Sequence, residues 1–279
     1  MDIVQETIEG KVDHSADEIR QLTGAVCNQY WSLPNVVEIP GENIFFIGDL
    51  HGELNSIQRV LQVFMKYKDH SLVFLGDYAD RGPSQVETFN LAMAMTLRFP
   101  KRVFMLRGNH ETESIAMRYG FHVDVLRKHS EAVFSDYVEV FKALPLAAVS
   151  TNGIFACHGG VPEKGRSLDD LQTPDRHCAD IRNEVLFQLI WNDPVDFSLG
   201  FTNNMRGMNI RSFGRTAFER FKEDLGISMM IRAHEAFKDG IQTFFDGSLV
   251  SLFSASYGGQ TNPKFIRMGK DHHYEVLSI

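Results

Sequence analysis

The feature that most constrains this chain is a threefold alternation of an apolar run, a short polar loop and a helical pattern. The apolar runs lie at 44–47, 72–75 and 103–106, and each predicts a strand. Apolar residues with helical spacing come after the three loops, over 54–65, 86–97 and 113–144. This alternation predicts an α/β layout in which the polar loops meet at the carboxyl ends of the strands.

Five short segments carry side chains that can bind metal ions. They are Gly48-Asp49-Leu50-His51-Gly52, Gly76-Asp77-Tyr78-Ala79-Asp80-Arg81-Gly82, Arg107-Gly108-Asn109-His110-Glu111, Cys157-His158-Gly159-Gly160 and Arg232-Ala233-His234-Glu235. Asp49 and His51 are two residues apart, so in extended chain both side chains point the same way and can bind one ion. Carboxylate, amide and imidazole ligands without a thiolate suit Mn²⁺, Fe or Zn²⁺.

The C-terminal part of the chain is rich in predicted strands. Runs at 242–245, 249–253, 265–268 and 274–277 read as β-hairpins, with Asp246-Gly247 as a turn. Two further strands, at 154–156 and 229–231, precede His158 and His234. The strand supply is sufficient for two sheets packed face to face. Because no linker-like tract interrupts the chain, we expect one domain over 1–279, with a helical lead-in over 1–40 and a motif-bearing core over 43–259.

Composition limits the compartment and the partners that we expect. No apolar run approaches the roughly 18 residues needed to span a membrane. The formal net charge of −8 argues against broad binding to nucleic acid. Three cysteines without a Cys-x-x-Cys pair favour a reduced, cytoplasmic setting. Composition alone predicts a soluble enzyme or binding module.

The order of the five segments resembles the phosphoprotein phosphatase (PPP) family of serine/threonine protein phosphatases, within the calcineurin-like metallophosphoesterases. The resemblance extends over 43–259. It implies the metallophosphoesterase fold, in which two mixed β-sheets pack as a central sandwich flanked by helices. It also implies two divalent metal ions, with Mn²⁺ expected and Fe or Zn²⁺ as alternatives. The first would bind Asp49, His51 and Asp77, and the second Asp77, Asn109, His158 and His234.

Two such ions about 3.5–4 Å apart can lower the pKa of a bridging water toward ~7, so that hydroxide attacks phosphorus in line. The leaving alkoxide then needs a proton, for which His110 is the candidate general acid, with Asp80 holding its ring. By resemblance, Arg81 and Arg206 bind the phosphate and Tyr257 overhangs the site. The spacing from Arg206 to Gly214 is one residue longer than the family pattern, so Arg211 stays a rival to Arg206.

The resemblance implies hydrolysis of phosphoserine and phosphothreonine in proteins. Two alternatives share the metal core: a symmetrical diadenosine tetraphosphate hydrolase, and a broader phosphoesterase that also accepts phosphotyrosine. A binding protein that kept the fold without catalysis would not need a complete set of ligands. The expected partners are phosphorylated proteins, without nucleic acid, membrane or regulatory subunits, and the expected state is a monomer.

Overall fold

The computed structural model describes residues 2–197 and 200–279. Its strands are β1 Val36–Ile39, β2 Ile44–Ile47, β3 Ser71–Phe74, β4 Val103–Met105, β5 Ala147–Ser150, β6 Ile154–Cys157, β7 Asp193–Pro194, β8 Phe201–Asn203, β9 Arg211–Phe213, β10 Met229–Arg232, β11 Ile241–Phe244, β12 Leu249–Leu252, β13 Lys264–Met268 and β14 Tyr274–Ser278. Its α-helices are α1 Ile3–Ile8, α2 Ala16–Tyr30, α3 Leu54–Phe64, α4 Gln85–Arg98, α5 Glu113–Tyr119, α6 Phe121–Lys128, α7 Glu131–Ala143, α8 Leu168–Gln172, α9 Glu184–Trp191 and α10 Arg215–Leu225.

The strands form two large mixed sheets and one small sheet. The larger sheet has the order β1-β5-β6-β10-β12-β11, and the second has the order β14-β13-β2-β3-β4. Within the second sheet β2, β3 and β4 are parallel neighbours, whereas β13 is antiparallel to β2. In the larger sheet β6, β10 and β12 are parallel. Parallel strands end at one edge, so each sheet brings several loops to the same side.

Alternating side chains on the buried strands separate the layers. Ile44 and Phe46 of β2 point into the apolar layer between the two large sheets. Phe45 and Ile47 of the same strand point outward, against helices including α2, α3, α4 and α7. A further apolar layer packs α9 and α10 against the other face of the larger sheet. The predicted sandwich of two mixed sheets flanked by helices is confirmed.

The C-terminal hairpins form as predicted, and the structure adds one small sheet. The hairpins β11–β12 and β13–β14 form as expected, but they belong to different sheets. The small sheet β7-β9-β8, which the sequence did not indicate, lies between α9 and α10 in the chain. Across the described residues, no helix combines the length and the apolar character needed to cross a membrane.

Candidate metal and phosphate site

The carboxyl ends of strands from both large sheets carry the predicted metal ligands. Asp49, Asp77 and Asn109 follow β2, β3 and β4, and His158 and His234 follow β6 and β10. All five side chains belong to buried residues. The site therefore lies where the two sheets meet, and each sheet supplies part of the ligand set.

The Asp77 carboxylate lies at the centre of this group. Its Oδ2 is 3.7 Å from His51 Nε2 and 3.4 Å from His158 Nε2. Its Oδ1 accepts a hydrogen bond from the His110 backbone amide at 3.0 Å. Imidazoles that follow two different strands thus approach the same carboxylate oxygen, as expected of a ligand shared between two cations.

Backbone carbonyls orient two of the imidazoles. His51 Nδ1 donates to Ala79 O at 2.9 Å, and His158 Nδ1 donates to Leu75 O at 3.0 Å. Because Nδ1 of each ring donates to a carbonyl, Nε2 is the atom that faces Asp77 and can bind a metal ion once it is deprotonated. Such an outer hydrogen bond is a regular feature of metal-binding histidines because it selects the tautomer that can ligate.

The remaining predicted ligands converge on His158. Asn109 Oδ1 is 2.8 Å and His234 Nδ1 is 3.2 Å from His158 Nε2. Asp49 Oδ1 accepts from the His234 backbone amide at 2.9 Å. Among the described residues, three buried side-chain polar atoms have no hydrogen-bond partner: Asp49 Oδ2, Asp136 Oδ2 and His234 Nε2. Unpartnered buried polar atoms are unusual, and two of these three belong to predicted metal ligands.

The electrostatics of the site fit bound cations. Burial opposes protonation of His51, but Asp49 and Asp77 outweigh it and raise the pKa of His51 to about 9. Burial, followed by the positive charge on His158, lowers the pKa of His234 well below its ordinary value, so that this imidazole is neutral. The carboxylates favour positive charge at this place, which divalent cations would supply, and His234 is a neutral imidazole, the form that ligates a metal.

Two groups of ligand atoms within the described residues have the spacing of metal sites. One comprises His51, Asp77 and His110, and the other Asp77, His158 and His234. The predicted first set contains Asp49 rather than His110. Asp49 Oδ2 is 3.5 Å from His51 Nε2, close enough to share an ion with it. The structure thus brings together all six residues predicted to bind the two ions, and Asp77 belongs to both groups.

His110 and Asp80 form a short, buried pair beside these ligands. His110 Nδ1 donates to Asp80 Oδ2 at 2.6 Å. Asp80 Oδ1 accepts from the Phe121 amide at 2.8 Å, and the Asp80 amide donates to Gln85 Oε1 at 3.0 Å. The Asp80 carboxylate is therefore fixed independently of His110, and the pair orients the His110 ring with Nε2 directed away from Asp80.

Glu111 and Gly108 hold the two central loops together. Glu111 Oε2 accepts from the amides of Asp77 at 2.7 Å and Gly108 at 2.9 Å, and Oε1 accepts from Tyr78 at 3.0 Å. A Cβ at Gly108 would lie 2.2 Å from Asp77 Oδ1, so only glycine allows this approach. The glycine in the third motif thus serves the geometry of the second.

Arg81 lies at the mouth of the site between two aromatic rings. Its guanidinium carbon is 5.0 Å from the Tyr119 ring centroid and 5.5 Å from that of Tyr257. The Tyr257 ring stacks on His51, with centroids 5.4 Å apart. Cation–π contacts hold the planar guanidinium without using its hydrogen-bond donors, so the donors stay available to an oxyanion.

The contacts of the two rival arginines differ. Arg206 Nε donates to Asp193 Oδ2 at 2.9 Å, and the other Asp193 oxygen is 3.8 Å from His234 Nε2. Arg211 Nε donates instead to Glu163 Oε2 at 2.7 Å. Arg206 is therefore connected to a predicted metal ligand through one carboxylate. These contacts favour Arg206 over Arg211, and its role in binding phosphate stays a prediction.

Sequence reasoning missed Asp193, which links the second arginine to the buried part of the site. Its Oδ1 accepts from Arg232 Nη2 at 2.8 Å while Oδ2 accepts from Arg206. The available signal was weak: Trp191-Asn192-Asp193-Pro194 looks like a helix end followed by a turn. The partners of Asp193 lie 39 and 13 residues away in the chain, so only the folded structure brings them together.

A family model and two known relatives each match most of this chain. A family model described as calcineurin-like phosphoesterase matches residues 42–237, which include every predicted site residue except Tyr257. A PP2A-like serine/threonine-protein phosphatase of Candida albicans is 33% identical over 86% of this chain and 58% of the relative. A catalytic polypeptide of protein phosphatase 2A from Dictyostelium discoideum is 34% identical over 85% of this chain and 76% of the relative. The chain thus spans little more than half the length of the Candida relative.

Solved structures share the fold over most of the chain. A Saccharomyces cerevisiae serine/threonine phosphatase with similarity to human phosphatase PP5 superposes with a TM-score of 0.86 and 25% identity, covering 95% of this chain and 90% of that one. A cold-active protein-tyrosine phosphatase of a psychrophilic Shewanella has a TM-score of 0.60 and 14% identity, covering 90% and 84%. The second similarity concerns the fold alone.

Proposed function

Because this chain belongs to the calcineurin-like phosphoesterase family, and within it to the serine/threonine protein phosphatases, we propose that it hydrolyses phosphoserine and phosphothreonine esters in proteins. The observation that carries the proposal is the Asp77 carboxylate between His51 and His158, with the His110–Asp80 pair beside it. This arrangement combines a shared metal ligand with a proton donor.

The six predicted ligands would hold two divalent cations, and Mn²⁺ is the ion we propose. When bound, such a pair polarises the phosphoryl group and acidifies a nucleophilic water. The chain's own residues then bind the phosphoryl group and protonate the leaving oxygen. The guanidinium groups of Arg81 and Arg206 bind phosphoryl oxygens through planar N–H donors. His110 donates a proton from Nε2 to the leaving oxygen, and Asp80 keeps the ring aligned through Nδ1.

The experiment that tests the proposal compares two substrates on one metal-depleted preparation. Release of phosphate from a phosphothreonine peptide and cleavage of diadenosine tetraphosphate are measured with and without added Mn²⁺. We expect Mn²⁺-dependent turnover of the peptide that far exceeds cleavage of the nucleotide, and its loss in His110→Ala. A preference for the nucleotide would keep the proposed chemistry but identify diadenosine tetraphosphate as the substrate. Inactivity on both, with two ions bound, would refute the assignment of substrate.

A further inference from the structure

We propose that Glu53 is a positioning residue that holds the Tyr257 ring over the phosphate site, an inference that rests on the proposed function. Glu53 follows His51 by two residues and immediately precedes α3. Tyr257 lies in the loop between β12 and β13, at the other end of the chain. A direct contact between these segments would link the start of α3 to the position of the Tyr257 ring above the site.

Two hydrogen bonds make this connection. Glu53 Oε1 accepts from Ser256 Oγ at 2.8 Å and from the Tyr257 backbone amide at 2.9 Å. Its other oxygen, Oε2, accepts from Ser56 Oγ at 3.4 Å within the first turn of α3. One carboxylate therefore binds the loop with one oxygen, while the second oxygen contacts its own helix.

The loop has a conformation that needs such support. Tyr257 has φ +48°, in the left-handed region, where the Cβ of an L-residue crowds the following carbonyl. Gly258 and Gly259 continue with φ values of +65° and +88°. Within the loop, Ser256 O accepts from the Gly259 and Thr261 amides. The amide of Tyr257 is bound from outside the loop by Glu53, at the residue where the left-handed run begins.

The position of the Tyr257 ring affects two predicted site residues. The ring stacks on His51 at 5.4 Å with an interplanar angle of 23°, and the Arg81 guanidinium is 5.5 Å from its centroid. The Phe253 ring packs against it in a T-shaped arrangement, with ring centroids 4.9 Å apart. If the loop moved, Arg81 would lose one of its two aromatic neighbours, and substrate phosphate would meet a less ordered donor. Glu53 thus acts on the substrate through Tyr257 rather than by contact.

A double-mutant cycle distinguishes this role from simple support of α3. We would measure kcat and KM on the phosphothreonine peptide for wild type, Glu53→Ala, Tyr257→Ala and the double variant. We expect Glu53→Ala to lower kcat/KM by about tenfold, chiefly through KM, and to have almost no further effect when Tyr257 is already alanine. Glu53→Gln, which keeps the Oε1 acceptor, should remain within about threefold of wild type.

Multiplicative losses in the double variant, or wild-type kinetics in Glu53→Ala, would overturn the proposal. Glu38→Ala removes an exposed glutamate of β1 and serves as the control for charge. If Glu53→Ala does not fold, Ser256→Ala removes one of the two loop contacts and should show the same dependence on Tyr257. If the wild-type protein is inactive on the peptide, the proposed function is refuted. If the wild-type protein is active but the effects of Glu53→Ala and Tyr257→Ala are independent, only the role of Glu53 is refuted.

Discussion

Among single residues, His110 is the one whose contribution should depend on the leaving group. Its Nδ1 is bound to Asp80 at 2.6 Å, so Nε2 is the atom available to protonate the leaving oxygen. A threonine alkoxide needs this proton, whereas p-nitrophenolate leaves without it. We expect His110→Ala to lower kcat on a phosphothreonine peptide by about 10²–10⁴-fold and to lower kcat on p-nitrophenyl phosphate far less. Both rates are measured at saturating Mn²⁺.

His122→Ala provides the matched control, because the half-buried His122 is hydrogen-bonded to the exposed Glu131. Elemental analysis of both variants would show whether the metal content is retained. Equal losses of His110→Ala on the two substrates, at unchanged metal content, would contradict its assignment as the acid.

The two arginines of the 204–211 segment allow a second matched comparison. Arg206 is held by Asp193 beside His234, whereas the Arg211 guanidinium is bound by Glu163 and Asn203. Hydrogen bonds to a charged group contribute about 1.5–3 kcal/mol, so Arg206→Ala should reduce kcat/KM by roughly 10–100-fold. Arg211→Ala should stay close to wild type. The reverse ranking in steady-state kinetics would make Arg211 the phosphate ligand.

At this scale, the sequence predicted residues within motifs better than residues between them. Asp49 and His51, or Asn109 and His110, could be recognised because each motif places its side chains a few residues apart at a strand end. The contact from Arg232 to Asp193 spans 39 residues, and the one from Glu53 to Ser256 spans 203. Such pairs leave no local pattern, because only the packed fold brings them together.

Among the elements, α2 begins with an N-terminal capping interaction whose contribution to stability should depend on pH. Ser15 and Glu18 form a reciprocal capping box at its start. The hydrogen bond from Lys11, followed by that from the Ser15 amide, lowers the pKa of Glu18 to about 2, against an ordinary 4.5. Because the pKa of Glu18 is lower in the folded state, its ionised carboxylate stabilises the fold at pH values above the pKa of the unfolded chain. This contribution is lost as the pH falls toward 2.

Glu18→Gln should therefore unfold more easily than wild type at pH 7, and the difference should shrink between about pH 4.5 and pH 3. Urea unfolding of both proteins across this range measures it. Glu42→Gln, at an exposed glutamate before β2, should match wild type throughout. A difference that stays constant down to pH 3 would show that Glu18 does not act through its charge.

Helices and strands were predictable where the pattern of apolar residues within each of them was clear. The apolar runs before the first three motifs and the helical spacing after them predicted β2, β3, β4, α3 and α4 to within one or two residues. The small sheet escaped prediction because its strands have two or three residues each, too few to show alternation. The separation of β12 and β13 into different sheets depends on pairing with β10 and β2, neither of which is the neighbouring strand in the chain.

For the whole molecule, the site is also a connection between the two large sheets. Asp77 comes from the sheet of β2, β3 and β4, whereas His158 and His234 come from the larger sheet. The chain has a formal net charge of −8, and two divalent cations would reduce the negative charge to about −4. Cations bound at this junction would stabilise the folded state, because the unfolded chain does not hold these ligands together.

We therefore expect chelation to lower the melting temperature and Mn²⁺ to restore it, independently of any activity. A ligand at 100 times its Kd stabilises by about 2.7 kcal/mol, which corresponds to on the order of 5–10 °C for a chain of this size. Asp77→Asn should lose most of this shift because Asp77 belongs to both ligand groups. Asp239→Asn, at an exposed aspartate, should keep it. Thermal unfolding at several Mn²⁺ concentrations tests this, and a wild-type melting temperature that does not respond to the cation would contradict a metal site between the sheets.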